Sequence, residues 1–145
     1  MIARVIDGDT VVLEGGERVR LIGMNAPEDT SKVEVFGPKA TAFATDLLEG
    51  ETVWLQRDVS ERDRFDRLLR YIWLELPRNA DSEREIREKM ANAILVLEGF
   101  AQPATYRPDT RHSELFLALG KEVRAAERGL WALDPTGTTK GDSLD

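Results

Sequence analysis

The first 22 residues constrain the fold most, because they have the pattern of a β-hairpin. Residues 2–13 are rich in β-branched side chains and predict a strand. The Gly-Gly pair that follows supplies a two-residue turn, and residues 17–22 alternate polar and apolar side chains as a returning strand does. With that turn Val11 pairs with Arg20, and Arg20 lies diagonally across from Asp9 on the same face. A sheet with charged groups on one face is therefore expected at the start of the chain.

Apolar periodicity and turn residues predict the remaining elements. The helices are expected at residues 37–50, at residues 82–99 or only 92–99, and at residues 112–129, and the strands at residues 51–58, 68–76 and within 100–108. Ser82 and Glu85 have the spacing of a capping box, which would start the longer form of the second helix. Five mostly antiparallel strands and three helices fit an α+β class that is mainly β, a small barrel with helices packed on it.

Length and composition limit the kinds of protein that this chain can be. The 145 residues suffice for one domain with its own core, predicted here as residues 1–133. Residues 134–145 are rich in Gly, Thr and Asp and are predicted to be a disordered tail. No apolar stretch approaches the roughly 20 residues that span a bilayer, and no leader is recognisable before the first strand.

Residue types that are absent or rare exclude several kinds of active site. The chain has no cysteine, so disulfides and thiolate metal sites are excluded. A single histidine, His112, argues against a Ser-His-Asp triad and against a zinc site built from several histidines. The net charge of -7 argues weakly against nonspecific DNA binding, which usually has a basic footprint.

Two short stretches of the sequence contain side chains whose oxygen atoms can bind a metal ion. Asp7 and Asp9 lie in VIDGDT, and Asn25 and Glu28 lie in GMNAPED. Carboxylate and amide oxygens that converge suit a hard cation such as calcium, and the guanidinium of Arg20 beside such a cation suits a phosphate. An Asp-Gly-Asp sequence is often only a turn, and its spacing does not fit an EF-hand loop. A metal site is the interpretation that also uses Arg20 and Glu28.

Five motifs, in this order along the chain, carry a resemblance to a known family: VIDGDTVVL, VRLIGMNAPE, FGPKATAF, RDRFDRLLRYIWL and YRPDTRH. Together they resemble the staphylococcal (thermonuclease-like) nuclease family, from about residue 2 to residue 133. The resemblance implies a five-stranded OB-fold β-barrel with three helices.

The resemblance also implies an activity, a cofactor and substrates. It indicates a calcium-dependent phosphodiesterase that hydrolyses DNA and RNA by metal-assisted attack of water on phosphorus and leaves 3′-phosphates. Single-stranded or denatured nucleic acid would be the partner, and the chain would act as a monomer. Secretion or a place on the cell surface is the localisation that the resemblance favours.

Four residues match the calcium site of the family. Asp9 matches the principal calcium carboxylate, and Asp7 matches an acidic neighbour just outside the ligands. Asn25 stands where the family commonly has a second aspartate, so one formal charge is lost, although an amide oxygen can still bind calcium. Ala26 would contribute its backbone carbonyl.

Five residues match positions that handle the nucleic acid. Arg20 and Arg67 match the two arginines that grip the scissile phosphate, and Glu28 matches the carboxylate that activates the attacking water. Arg64 and Tyr106 match positions that line the nucleotide groove.

Several other residues have simpler interpretations. Arg67 lies in a cluster with Arg57, Arg62, Arg64 and Arg70. Because a run of charge is usually a solvated face, most of these arginines are expected to be solvated. His112 opens a predicted helix and is expected at the surface, without a catalytic role. No function is assigned to residues 77–90, which are longer than the usual hairpin of the family.

Two other functions stay open. A non-catalytic module on the same barrel would bind nucleic acid or protein, and Asn25 and the acidic net charge favour it. A glycosidase with a carboxylate pair would use Asp7 and Glu28 but would leave the two arginines without a role. The presence of the carboxylates together with both arginines favours the nuclease.

Overall fold

Seven strands and five helices follow one another along the chain, in a computed structural model that describes residues 1–145. The strands are β1 (Ile2–Asp7), β2 (Thr10–Leu13), β3 (Arg18–Leu21), β4 (Met24–Asn25), β5 (Trp54–Gln56), β6 (Leu68–Trp73) and β7 (Gln102–Pro103). The helices are α1 (Gly37–Leu48), α2 (Glu83–Lys89), α3 (Ala91–Leu97), α4 (Ser113–Ala125) and α5 (Leu130–Leu133).

A five-stranded sheet and a two-stranded ribbon hold the strands. The sheet has the order β1-β2-β3-β6-β5, in which only β3 and β6 are parallel, and β4 pairs with β7. The sheet is open, because its edge strands β1 and β5 form no ladder with each other. Ile2 of β1 instead exchanges two backbone hydrogen bonds with Gly50 and Glu51 (2.8 and 3.0 Å), before β5 begins. The mixed α+β class is confirmed, but the predicted closed barrel with three helices is corrected to an open sheet with five helices.

The two aspartates of VIDGDT lie at a turn and not within one strand. Residues 2–13, predicted as a single strand, form the antiparallel pair β1 and β2, with a tight turn at Gly8 and Asp9. A β-carbon on Gly8 would lie 2.6 Å from the Cβ of Ala26, so glycine is needed at this close approach. Asp9 therefore points from the end of the hairpin towards the loop that follows β4.

The turn between β2 and β3 is one residue longer than predicted. Leu13 N donates to Glu17 O (2.8 Å), which leaves three residues in the turn. Arg20 consequently pairs with Thr10, one residue before the predicted partner. Arg20 still reaches Asp9, because Asp9 lies in the hairpin turn, where the alternation of strand faces no longer applies.

The second predicted helical region is divided, and the third ends earlier than predicted. Met90 has an extended backbone (φ −93°, ψ 118°) that ends α2 and starts α3. Helix α4 ends at Ala125, and the short helix α5 lies beyond residue 129, the predicted end. Ser82 caps α2 by accepting a hydrogen bond from Glu85 N (3.3 Å). The Glu85 carboxylate accepts from the backbone N–H groups of Arg78 and Asn79 (2.9 and 2.7 Å), which fastens the loop before α2.

Helix α1 starts against the loop that follows β4. Phe36, just before the helix, has a left-handed backbone (φ 74°), and Pro38 occupies the first turn, where a missing N–H has no cost. A β-carbon on Gly37 would overlap the backbone of Glu28, so glycine lets helix and loop approach this closely. The start of α1 therefore helps to position Glu28.

The main core lies between the sheet and the helices. It contains 22 buried residues, and Tyr71, Trp73 and Phe116 are its largest members. A second cluster of four buried residues joins α4 and α5 to Leu144. None of the helices has the length and apolar composition needed to pass through a membrane.

The C-terminal segment, residues 134–145, has a defined position in the structure. It runs beside β7, where Asp142 N donates to Pro103 O (2.8 Å), and the Asp142 carboxylate accepts from Thr105 N and Oγ1 (3.0 and 2.6 Å). Leu144 is buried in the second cluster. The polar residues whose composition predicts a disordered tail form hydrogen bonds in the structure. The domain boundary at residue 133 stays a prediction.

Candidate active site

The turn at Gly8 and Asp9, strand β3 and the loop after β4 surround a cavity of about 490 Å³. The predicted site residues that line it are Asp7, Asp9, Arg20, Asn25, Ala26, Glu28 and Arg67. Tyr106 instead lines a neighbouring cavity of about 290 Å³, which shares Arg20 and Arg67 with the first. Arg64 lines neither of these two cavities. The structure thus brings together all the predicted metal and catalytic residues.

The carboxylate of Asp9 is held firmly in place. It is buried, its Oδ2 accepts from Ala26 N (3.0 Å), and its Oδ1 accepts from the hydroxyl of Thr10 (3.1 Å). Asp7 Oδ1 accepts from Asp9 N (3.2 Å), so the two acids share one turn. Burial and the adjacent Asp9 charge raise the pKa of Asp7 to about 7. Two carboxylates forced together in this way form a place where a cation is favoured.

Arg20 connects the two halves of the site. Its Nη2 donates to Asn25 Oδ1 (3.0 Å) and lies 3.3 Å from Asp9 Oδ2. Its Nη1 donates to the carbonyl oxygens of Leu21 and, at 3.3 Å, of Met24. The guanidinium is thereby fixed on the border between the two cavities, as the recognition of a phosphate requires.

Arg67 is held from one side only. Its Nε and Nη2 both lie 2.7 Å from Asp63 Oδ2, and its backbone N–H donates to the other oxygen of the same carboxylate (3.0 Å). The remaining Nη1 makes only a long hydrogen bond (3.4 Å) to the hydroxyl of Thr10. Arg67 therefore has a fixed orientation and one edge available for a ligand.

Glu28 has a different environment from the two aspartates. Its carboxylate forms no ion pair and accepts only from the hydroxyls of Thr30 (3.1 Å) and Ser31 (3.4 Å). Its backbone is fixed, because Glu28 N donates to Glu34 Oε1 (2.9 Å) and Glu34 N donates to Glu28 O (2.8 Å). An unpaired carboxylate on a fixed backbone can take up a proton from a molecule in the cavity.

An exposed aromatic residue beside the site was missed in the sequence. Phe65 is 54% exposed, and the guanidinium groups of Arg64 and Arg67 lie 4.8 and 5.5 Å from its ring. Its carbonyl accepts from Arg18 Nη2 (2.6 Å). Tyr106 is 43% exposed and lies 5.7 Å from the guanidinium of Arg20. An aromatic residue inside the charged motif RDRFDR was the signal that could have identified Phe65.

Basic side chains that the sequence did not single out also line the larger cavity. They are Arg18, Lys32 and Lys140. Together with Arg20 and Arg67 they balance the acids of the site. The net charge of -7 therefore does not describe the charge around the cavity.

The oxygen atoms of the site suit a hard cation. No group of three or more His, Cys, Asp or Glu side chains is arranged to hold a metal, so a cation would also need amide and carbonyl oxygens. Asp7, Asp9 and the Asn25 amide supply such atoms, and the carbonyl of Ala26, a buried residue, accepts no hydrogen bond. A mixed set of oxygen ligands fits calcium, which tolerates irregular geometry, better than zinc.

Comparison with known proteins gives the family. A family model described as "Staphylococcal nuclease homologue" matches residues 18–133, most of the chain. The chain belongs to the staphylococcal nuclease family. The thermonuclease of Staphylococcus hyicus is 29% identical over 137 residues, which cover 90% of this chain and 74% of that protein. The thermonuclease of Staphylococcus intermedius is 31% identical over 137 residues, with the same coverage.

Membership of the staphylococcal nuclease family confirms the resemblance carried by the five motifs. The match of the family model begins at Arg18, so Asp7 and Asp9 lie outside it, whereas Glu28 and Arg67 lie within it.

Proposed function

We propose that this protein is a calcium-dependent nuclease. It hydrolyses single-stranded or denatured DNA and RNA by metal-assisted attack of water on phosphorus, and it leaves 3′-phosphates. The observation that carries this proposal is one cavity, in a member of the staphylococcal nuclease family, that is lined by a carboxylate pair, two fixed guanidinium groups and an unpaired carboxylate.

Arg20 and Arg67 bind the scissile phosphate. Both line the border between the two cavities, so a phosphate between them would have one neighbouring nucleotide on each side. Charge builds up on phosphoryl oxygens when water attacks, and donors already in place stabilise that charge without reorganising. Asp63 holds Arg67 in place for this purpose, and Asp9 and Asn25 hold Arg20.

Asp9, Asn25 and the carbonyl of Ala26 would hold calcium, with Asp7 just outside the ligands. Calcium bound there would stabilise negative charge on the phosphate and polarise a bound water. The buried Asp9 is oriented by Ala26 N–H, and the Asn25 oxygen faces the same region because Arg20 fixes it. These four residues provide the acceptors, and Arg20 links them to the phosphate.

Glu28 acts as the general base. Its carboxylate lines the cavity, forms no ion pair, and accepts only from hydroxyls, so it is free to accept a proton from the attacking water. General-base catalysis of this kind contributes roughly 10²–10⁴-fold to a rate. The fixed backbone of the loop keeps Glu28 beside the other groups.

Unstacked bases lie against the aromatic side chains near the cavities. Tyr106 lines the smaller cavity, and the exposed Phe65 with Arg64 lies on the adjacent loop. Base stacking on an aromatic ring contributes roughly 1–3 kcal/mol per base and requires a base that has left the duplex. This arrangement favours single strands over double helices.

The proposal is tested by incubating denatured DNA with calcium, and in a second tube with calcium and an excess of chelator. We expect digestion only in the first tube, with fragments that carry 3′-phosphates. Digestion that survives the chelator would rule out the metal. Secretion, which the family resemblance favours, and a monomeric state are expectations to be measured separately.

A second candidate is a non-catalytic module that binds nucleic acid. The acidic net charge and the asparagine at position 25 favour it, because both weaken a calcium-dependent active site. The same experiment separates the two candidates: the module would bind labelled single strands in a mobility assay but leave them intact in both tubes.

A further inference from the structure

The C-terminal segment forms part of the wall of the larger cavity. Thr139 and Lys140 line it together with the predicted metal and catalytic residues. Asn25 Nδ2 donates to Thr139 Oγ1 (2.9 Å) and to the carbonyl oxygen of Lys140 (3.0 Å). Asn25, which stands where the family commonly has an aspartate, therefore contacts this segment directly.

The hydroxyl of Thr139 connects the two sides of the site. It accepts from Asn25 Nδ2 and donates to Glu34 Oε1 (2.6 Å). Glu34 Oε1 in turn accepts from Glu28 N (2.9 Å). One hydroxyl thus joins the amide of Asn25 to the loop that carries Glu28, and it needs both its donor and its acceptor capacity to do so.

The contacts of Asn25 also determine which way its amide points. The carbonyl of Lys140 can only accept and the guanidinium of Arg20 can only donate, so Nδ2 must face Lys140 and Oδ1 must face Arg20. An aspartate at position 25 would place an oxygen against the carbonyl of Lys140. The asparagine and the position of the C-terminal segment therefore depend on each other.

The segment is anchored on both sides of Thr139. The backbone N–H groups of residues 138 and 139 donate to Gln102 Oε1 (2.9 and 3.1 Å). Beyond Lys140, Asp142 binds Thr105, and Leu144 is buried in the second hydrophobic cluster. These anchors lie outside the active-site cavity and hold the segment in place for contacts within it.

We infer that Thr139 is a positioning residue of the active site, which orients Asn25 and the loop of Glu28. This inference rests on the proposed nuclease activity. Both hydrogen bonds of the Thr139 hydroxyl go to protein groups. Its removal should therefore lower kcat and leave KM for the nucleic acid within about twofold, because the ion pairs of Arg20 with Asp9 and of Arg67 with Asp63 do not involve Thr139.

The test compares Thr139→Val, which removes the hydroxyl at nearly constant volume, with Thr139→Ser, which keeps it. Thr138→Val is the matched control, because the neighbouring hydroxyl has no hydrogen-bond partner. Digestion of denatured DNA gives kcat and KM, and melting curves check that each variant folds. Should Thr139→Val fail to fold, Thr139→Ala removes the hydroxyl without a branched apolar group.

A second measurement is independent of activity. Trypsin cleaves after Lys140, whose carbonyl is held by Asn25, and mass spectrometry detects the loss of residues 141–145. The hydroxyl makes two hydrogen bonds, so its removal makes the segment roughly tenfold or more easier to detach. We therefore expect Thr139→Val to be cleaved faster than the wild type by that factor, without calcium or DNA present.

The expected result is a loss of roughly threefold to tenfold in kcat for Thr139→Val, with Thr139→Ser and Thr138→Val close to the wild type in both assays. If the wild type digests DNA and Thr139→Val matches Thr138→Val, this inference is overturned and the nuclease proposal stands. Equal losses in Thr139→Val and Thr139→Ser would also overturn it. A wild type that digests no DNA would overturn the nuclease proposal and this inference with it.

Discussion

The carboxylates of the cavity have different hydrogen-bond partners, and these partners separate their roles. Asp9 is bound to a backbone N–H and lies beside Arg20, whereas Asp7 is half-buried next to it and has a raised pKa. Glu28 meets only hydroxyl groups. A carboxylate that no neighbouring cation neutralises is available to accept a proton, which supports the proposal that Glu28 is the base.

Glu28→Gln tests the base directly. The amide keeps the size of the side chain and its contact with the hydroxyls but cannot accept a proton, so turnover should fall by roughly 10²-fold or more. Calcium binding, measured by calorimetry, should stay within about twofold of the wild type, since Glu28 is not among the proposed ligands. Asp29→Asn is the control, because that carboxylate forms no hydrogen bond and lies outside the cavity. Equal turnover in the two variants would remove Glu28 as the base.

Arg67→Lys tests the phosphate contact. Lysine keeps the charge but loses the planar fork that binds Asp63 and a phosphate at once, so kcat/KM should fall by roughly tenfold or more. Arg57→Lys is the control, because Arg57 is exposed and pairs with Glu61 away from the cavities. Arg70 would be a poor control, because it is buried and bound to Glu61 (2.5 Å) and is thus an exception to the solvated face expected for this run of charge. Similar small effects at positions 67 and 57 would mean that the wrong arginine was chosen.

At the scale of elements, the sequence predicts the order of strands and helices better than their ends. A run of β-branched residues hides the turn at Gly8 and Asp9, because the glycine and aspartate that form it are too few to interrupt the strand pattern. The predicted proximity of Asp9 and Arg20 is nevertheless confirmed. The turn at Gly8 and Asp9 moves Asp9 out of the strand, and the longer loop between β2 and β3 moves Arg20 by one position, so the two residues still meet. The break at Met90 carries no Gly or Pro and could not be predicted locally.

Asn25→Asp tests the contact between the loop after β4 and the C-terminal segment. A second carboxylate should tighten calcium binding, because affinity rises with the number of charged ligands. The carboxylate oxygen that replaces Nδ2 would face the carbonyl oxygen of Lys140 and repel it. Trypsin should therefore cleave after Lys140 faster than in the wild type. Calorimetry and mass spectrometry measure the two effects. Unchanged calcium affinity would show that position 25 does not face the metal.

The start of α4 gives a prediction about pH. His112, expected at the surface, is buried between Tyr71 and Phe116, and its Nε2 has no hydrogen-bond partner. Burial, with the charge of Arg111 as a further cause, lowers the pKa of His112 below its ordinary value of 6.5.

Because burial disfavours protonation of His112 in the folded protein, the unfolded chain binds this proton more readily. The contribution of neutral His112 to stability is therefore complete above pH 6.5 and is lost as the pH falls from 6.5 to the lower pKa of His112 in the folded protein. As the chain has a single histidine, one imidazole signal in an NMR titration reports this group alone. We expect a midpoint below that of the same protein unfolded in urea. A midpoint equal to or above the unfolded value would contradict the burial of this ring.

At the scale of the whole molecule, net charge and local charge differ. The chain carries -7 overall, yet five basic side chains from distant parts of the sequence line the larger cavity: Arg18, Arg20, Lys32, Arg67 and Lys140. Composition could not predict this, because only the fold brings these residues together. The C-terminal segment was missed for the same reason, since its partners lie at positions 25, 34, 102 and 105.

In the proposed mechanism, calcium held at the turn of Asp7 and Asp9 drives hydrolysis in this cavity. The most direct measurement is the rate of digestion of denatured DNA against free calcium, for the wild type, for Asp9→Asn, and for the exposed control Asp46→Asn. We predict that the wild type and the control show the same calcium dependence, that chelator abolishes both activities, and that Asp9→Asn needs roughly tenfold more calcium or is inactive. Digestion that persists in chelator, or an Asp9→Asn curve that coincides with the control, would contradict this mechanism.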